Sequence, residues 1–197
     1  MKKYELTEET INVFGKTLHR IRATRDFSNV HAGDLGGFIE NELNLSHDRD
    51  TWVYGNAWAY GEARVYGNAL VGGDARVSGK ARVGGDARVE GNALVSGNAR
   101  VGGNALVSGN ARVYGEARVK GPRDIYWISC IGSRDGTTTF FRNANNGISV
   151  SCGCFYGTID EFAAAVTKTH GDNEHAQAYR HAIEIAKLRI KLTDAES

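Results

Sequence analysis

Six histidines and three cysteines are the side chains best suited to act as bases, nucleophiles or metal ligands in this 197-residue chain. A base that takes a proton from a hydroxyl or amine works best when it titrates near neutrality, as imidazole does. His19, His31 and His47 lie in the first quarter of the sequence, and His170, His175 and His181 lie near its end. No histidine falls between Asp48 and Val119. A hidden catalytic base would have to be His31 or His47, and the simpler reading of each is a surface or capping side chain. His170 and His175 with Cys152 and Cys154 would suit a metal on ligand type alone. In a strand, however, the Cys152-Gly153-Cys154 spacing puts both sulfurs on one face, where sulfur is usually core. The sequence therefore assigns no catalytic residue, no metal and no cofactor. Three cysteines (Cys130 is the third) are an odd set that fits a reducing cytoplasm better than a disulfide framework.

Composition narrows the classes further. Apolar residues make up 41% and charged residues 24%, unlike a disordered chain. The apolar runs are far shorter than the roughly 20 residues of a membrane span. The first residues, MKKYELTEETINVFGK, start basic but hold no apolar core, so no secretory signal is read. A formal net charge of +1 excludes binding to nucleic acid or membrane driven by overall charge. Gly-rich phosphate loops need a strand-Gly-helix context. The glycines here serve another purpose.

That purpose is a repeat. From Tyr54 to Val119 the chain runs through eleven six-residue units without insertion, from YGNAWA and YGEARV to SGNARV and YGEARV. Counting from the residue before each unit, the first position is Val from Val53 to Val113 except at Ala59, the third is Gly from Gly55 to Gly115, and the fifth is Ala from Ala57 to Ala117. Only the Val and Ala positions stay apolar, so they face inward. Gly followed by a polar residue suits a bend. Each unit is thus a very short strand and a corner, unable to close a core without its neighbours.

This pattern resembles the hexapeptide-repeat, left-handed β-helix family, and the run from Gly33 to Glu40 and through Asn44-Leu45-Ser46 resembles the lead-in of YdcK-like proteins, which are often labelled transferases. Ile39, Leu45 and Thr51 continue the Ala position backwards. The resemblance implies three units per triangular coil, so that residue n stacks on n+18. It also implies the departures that matter. Acyltransferases of this type generally use a histidine base and a loop that interrupts a coil, and β-helical carbonic anhydrases need three histidines on zinc. The repeat has neither.

Sorting the outward sixth position by 18 separates three faces. One carries Arg64, Arg82, Arg100 and Arg118; a second Trp58, Arg76, Leu94 and Arg112; the third Trp52, Leu70, Arg88 and Leu106. The first is an unbroken arginine ladder with rungs about 4.8 Å apart. Residues 53–121 hold nine Lys and Arg against five Asp and Glu, a local excess of +4. Glu62 and Glu116, each two residues before an arginine, are expected to offset part of the ladder. Arg forks match paired oxygens, so the ladder is a candidate site for phosphate or an acidic surface; the alternative is that the arginines stack flat and cover the coil with their stems.

Elsewhere the expected architecture is mainly β with three parts: an N-terminal cap or hairpin at 1–35, a left-handed parallel β-helix at 36–121, and a small α+β module at 122–197. In the cap, Lys16–Ala23 alternates like a strand and pairs with the Tyr4–Glu8 region. The module reads as a three-stranded meander (125–131, 137–142 and 148–152) and two helices. Thr158-Ile159-Asp160-Glu161 is a capping box that starts the first helix at Ile159, His170-Gly171 ends it, and the second runs from about Glu174 to Leu192. The run Gly153-Cys154-Phe155 through Gly157-Thr158 is similar to tails on phage-borne proteins.

Trp58, Leu70, Leu94 and Leu106 on the coils, with Tyr179 and Ile183 on the last helix, are assigned to a homo-oligomer interface, a trimer being favoured by the family resemblance. Together these features read as a cytoplasmic, non-catalytic binding protein of phage or prophage origin. Its partner is a host protein or a phosphate-bearing ligand such as a nucleotide, with a counter-defence role. The alternatives are a hexapeptide-type acyltransferase and a purely structural or assembly protein.

Overall fold

The computed structural model describes residues 2–192. Its centre is a parallel β-solenoid. Twelve two-residue strands, β4 (Trp52–Val53) through β15 (Arg118–Val119), follow one another at six-residue intervals. The strands β4 through β14 are this short because a left-handed glycine follows each one. From Gly55 to Gly115 these glycines have φ between +54° and +73°, which a Cβ disfavours. Space forbids a side chain as well: a methyl on Gly85 would lie 2.8 Å from the backbone nitrogen of Gly103, one coil on.

Each coil hydrogen-bonds to the coil 18 residues on. Arg64, Tyr66 and Asn68 donate their N–H groups to the carbonyls of Ala81, Val83 and Gly85 at 2.9, 2.9 and 2.8 Å. The same pattern recurs along the stack and aligns three flat faces. Val and Ala from Val53 to Val119 line the interior and are essentially inaccessible. Burying each Val contributes roughly 1.5 kcal/mol or more, and no single unit could bury its own.

The N-terminal end is closed by main chain. β1 (Tyr4–Val13) and β2 (Lys16–Ala23) form an antiparallel hairpin, longer than the sequence pattern implied. β3 (Leu35–Ile39) pairs antiparallel with β2 and parallel with the solenoid strand Trp58–Ala59. The cap therefore extends one solenoid face into a seven-stranded sheet. Tyr4, Ile21, Phe27, Ile39, Leu45 and Trp52 fill the open end of the core. Lys3 is buried there, its ammonium donating to the carbonyls of Thr51, Arg49 and Asp48 at 2.6, 3.3 and 3.5 Å.

The C-terminal module has four antiparallel strands rather than three: β16 (Ile125–Ile131), β17 (Gly136–Arg142), β18 (Ile148–Cys152) and β19 (Phe155–Thr158). Gly153, at φ +58°, turns the chain between the last two. This overturns the shared-face reading of the cysteines, because Cys152 ends a strand half-buried while Cys154 lies exposed in the turn. The helices are α1 (Ile159–His170) and α2 (Glu174–Arg189). The Thr158–Glu161 capping box is present, and Gly171 caps α1, as the sequence predicts. α2 stops at Arg189, three residues short of the expected Leu192, where Ile190 takes up extended backbone.

Two adjacent residues show how the module sits. Side chains alternate across a strand, and here Phe141 enters the solenoid core while Phe140 enters a second core against the helices. Ile125 joins Phe141 on the solenoid side. Tyr179 and Ile183 belong to the second core and are 8% and 3% exposed. Their assignment to an oligomer interface is therefore corrected: the helix face that carried the apolar spacing packs on its own sheet. Among the described residues no helix is long and apolar enough to cross a membrane.

Candidate functional site

The four arginines of the ladder lie in register on one sheet. Arg64 pairs with Arg82, Arg82 with Arg100 and Arg100 with Arg118. Three coil steps put the end rungs about 14 Å apart. The 18-residue spacing works because every unit has the same length, so no insertion shifts the phase.

Charge compensation is uneven. Glu116 holds Arg118 at 3.1 Å, and Arg118 also donates to the carbonyls of Ala117 and Asn98 at 2.9 and 3.2 Å. Hydrogen bonds from Asn98 and Arg118 keep the Glu116 carboxyl below its ordinary range. Glu62 does not reach Arg64. It lies in the same corner lane as Glu116, three coils earlier and beside Lys16 and Lys80, and the expected offset there is absent. Among the described residues Arg64, Arg82 and Arg100 have no carboxylate within ion-pair distance.

Both ends of this face are walled. At the N-terminal end, Leu43 and Ser46 of the cap join Arg64, Arg82, Val65 and Tyr66 around a cleft of about 460 Å³. At the other end, the Asn143–Asn146 loop of the module closes on Arg100, Arg118 and Lys120, with Tyr66 and Gly102, around a cleft of about 430 Å³. That loop is fixed to the last coil by the Ala117–Asn143 bridge and by the Ala144 N–H, which donates to the Glu116 carbonyl at 2.9 Å. Arg142 reaches the second cleft and is positioned by Asn146 Oδ1 at 2.8 Å and Asp124 at 3.7 Å. Sequence reasoning missed Arg142, and it read Tyr66 only as one of the exposed coil tyrosines that suggest an interface, not as a neighbour of the arginines. The 18-residue stacking brings Tyr66 into the lane Tyr66, Gly84, Gly102, Lys120, but nothing in the sequence places a loop from the module beside it.

The other faces differ. The Arg76 guanidinium lies over the Trp58 ring at 4.3 Å, and Trp58 packs beside the hairpin cluster of Val13, Leu18 and Phe38. Leu70 is half-buried and packs against the main core. Leu94 is half-buried and Leu106 is exposed. A cleft of about 500 Å³ beneath the cap, lined by Asp34, Asp50, Trp52, Tyr54, Arg88 and Glu90, mixes both charges.

His19, His31, His47, His170 and His175 each have a neighbour within the fold. His47 Nδ1 accepts the Lys3 N–H at 3.2 Å, its ring stacks on Tyr4 with centroids 4.2 Å apart, and Nε2 faces Glu42 at 3.8 Å. Burial pushes its pKa below the ordinary value, with Glu42 opposing. His31 is exposed in a loop near Asp34. His170 and His175 are ring neighbours, with centroids 5.7 Å apart. Among the described residues no cluster of three or more His, Cys, Asp and Glu has the arrangement of a metal site.

The stacked coils define a β-solenoid repeat protein. Residues 63–79, 81–97 and 99–115 match the YdcK beta solenoid repeat, so the similarity lies in the repeats themselves. No curated protein matches the chain.

Proposed function

We propose that this is a non-catalytic binding protein: a rigid rod of hexapeptide coils, wound left-handed as the resemblance implies, whose arginine face takes a phosphate-bearing small ligand. One observation carries the reading. Arg64, Arg82 and Arg100 stand in register with no carboxylate within ion-pair distance among the described residues, on a face walled at both ends. Like charges stacked at coil spacing repel, and a bound anion relieves that repulsion. Guanidinium forks suit its paired oxygens.

Calorimetric titration with pyrophosphate tests this. The expected result is binding that falls at least tenfold in the Arg82→Gln/Arg100→Gln double variant and is unchanged by Arg112→Gln on the neighbouring face. Equal losses in both would mean a diffuse charge effect and would sink the reading. The non-catalytic part is tested separately, since release of free thiol from acetyl-coenzyme A with any acceptor would restore the acyltransferase alternative.

Self-association into a trimer is carried by the apolar Leu94 and Leu106 on the coils, and sedimentation tests it. The phage or prophage setting and the counter-defence role against a host protein or nucleotide rest on the resemblance of the tail run. Genomic neighbourhood tests that part.

A further inference from the structure

We infer that the walled groove binds a nucleotide, its base against Tyr66 and its phosphates on Arg100, Arg118, Lys120 and Arg142. The inference deepens the anion-binding reading and rests on it.

Tyrosine stands at the start of three corner lanes, and its neighbours along each lane decide what becomes of the ring. Tyr54 is followed at 18-residue steps by Gly72, Glu90 and Ser108. Its hydroxyl lies 3.2 Å from the Glu90 carboxylate, and its ring packs against the core. Tyr60 belongs to the hairpin cluster. Tyr66 is followed by Gly84, Gly102 and Lys120. Its ring lies against Gly84, where an added methyl would collide with it. Tyr66 as a whole remains 45% exposed, and its hydroxyl has no hydrogen-bond partner among the described residues. Two successive glycines leave no side chain to cover it.

Tyr66 borders both clefts of the arginine face. One side of the Tyr66 ring packs on Gly84 and the rest stays open on a charged face, which leaves a surface on which a nucleobase can stack. Beyond it, the second cleft gathers Arg100, Arg118, Lys120 and Arg142. The nearby carboxylates, Glu116 and Asp124, orient Arg118 and Arg142 without matching four cations. Fixed guanidinium groups lose less freedom when they take up phosphate oxygens. A cleft of about 430 Å³ is within the range of small-molecule sites. A ring followed by cations along one line has the order of a nucleotide's own parts.

The experiment is calorimetric titration of the full chain with ADP, pyrophosphate and adenosine. ADP is expected to bind at least tenfold more tightly than pyrophosphate. Tyr66→Ala and Tyr66→Leu are each expected to bring ADP down to the affinity of pyrophosphate while leaving pyrophosphate unchanged, and Tyr66→Phe to keep the preference. Arg100→Gln is expected to weaken both. If ADP and pyrophosphate bind alike, and the Tyr66 variants change neither, the nucleotide inference falls and the anion-binding reading stands. If neither binds, both fall. If Arg112→Gln weakens ADP as much as Arg100→Gln does, the site is misplaced and the inference falls.

Discussion

The solenoid's two ends are closed by different chemistry. At the first coil the cap continues a sheet, so main-chain hydrogen bonds do most of the closing, and Lys3 satisfies the carbonyls of the irregular 48–51 segment. At the last coil no strand continues the stack. A separate sheet lies across it, presenting Phe141 and Ile125 to the core and the Thr139 hydroxyl to the Arg112 N–H at 3.0 Å. The same repeat poses the same problem at both ends, apolar interior and unpaired backbone. At the N-terminal end, backbone hydrogen bonds and the buried Lys3 are added to an apolar plug, which gives the closure geometric definition and makes it sensitive to pH. An apolar closure depends on shape.

The largest expected effect breaks the apolar end. Phe141→Ala should cost about 3–5 kcal/mol, as for other buried phenylalanines. Hydrogen exchange should rise first at the last coil, around Val113 and Val119. Phe140→Ala should instead loosen the helices, because that side chain belongs to the second core. Equal exchange patterns for the two variants would contradict two separate cores.

Next comes the polar end. Lys3→Met should cost about 1–3 kcal/mol by leaving buried carbonyls without a donor. The accompanying pH dependence is more diagnostic. Burial, helped by Arg25, holds the Lys3 pKa down at about 8 against the ordinary 10.5. Between those values the unfolded chain binds the proton that the folded chain has released, so stability rises with pH. Tyr4 and Tyr179, whose pKa values are raised by burial, reverse the trend above pH 10, where the unfolded tyrosines ionise. Urea unfolding from pH 8 to 10 should show the gain in the wild type and not in Lys3→Met.

A smaller effect sharpens the same contrast. His47 is a base whose folded pKa lies below its ordinary 6.5. The stability it contributes is complete above pH 6.5 and is lost as pH falls toward the lowered folded value. Protonating Nδ1 would remove the acceptor of the Lys3 N–H. His47→Gln should cost about 1 kcal/mol near neutrality, the usual worth of one hydrogen bond, and should flatten the acid limb. An unchanged acid limb would place the pH sensitivity elsewhere.

Much of this was legible in the sequence because a repeat gives each residue the environment of its predecessor. Gly55 to Gly115 announced the corners, Val and Ala the interior, and the 18-residue spacing the three faces. The Thr158–Glu161 capping box and Gly171 marked both ends of α1. Other readings failed where contacts are not periodic. Tyr179 and Ile183 have the spacing of an interface and of a core alike, and only the neighbouring sheet distinguishes them. The strand 155–158 was missed because Cys152-Gly153-Cys154 reads as continuous strand until Gly153 turns. Glu62 and Glu116 precede their arginines identically, yet only Glu116 pairs.

By itself, the sequence determined the six-residue unit and its inward positions, and with the three units per coil that the resemblance implies, equal units align Arg64, Arg82, Arg100 and Arg118. Tertiary structure alone decided which of those arginines have partners. It also brought Arg142 and the Asn143–Asn146 loop to the end of the ladder, left Tyr66 half-exposed, and buried Lys3 and half-buried His47 in a cap. Those outcomes depend on side chains meeting across segments that no period relates, and such meetings are set by how the two ends fold back onto the rod.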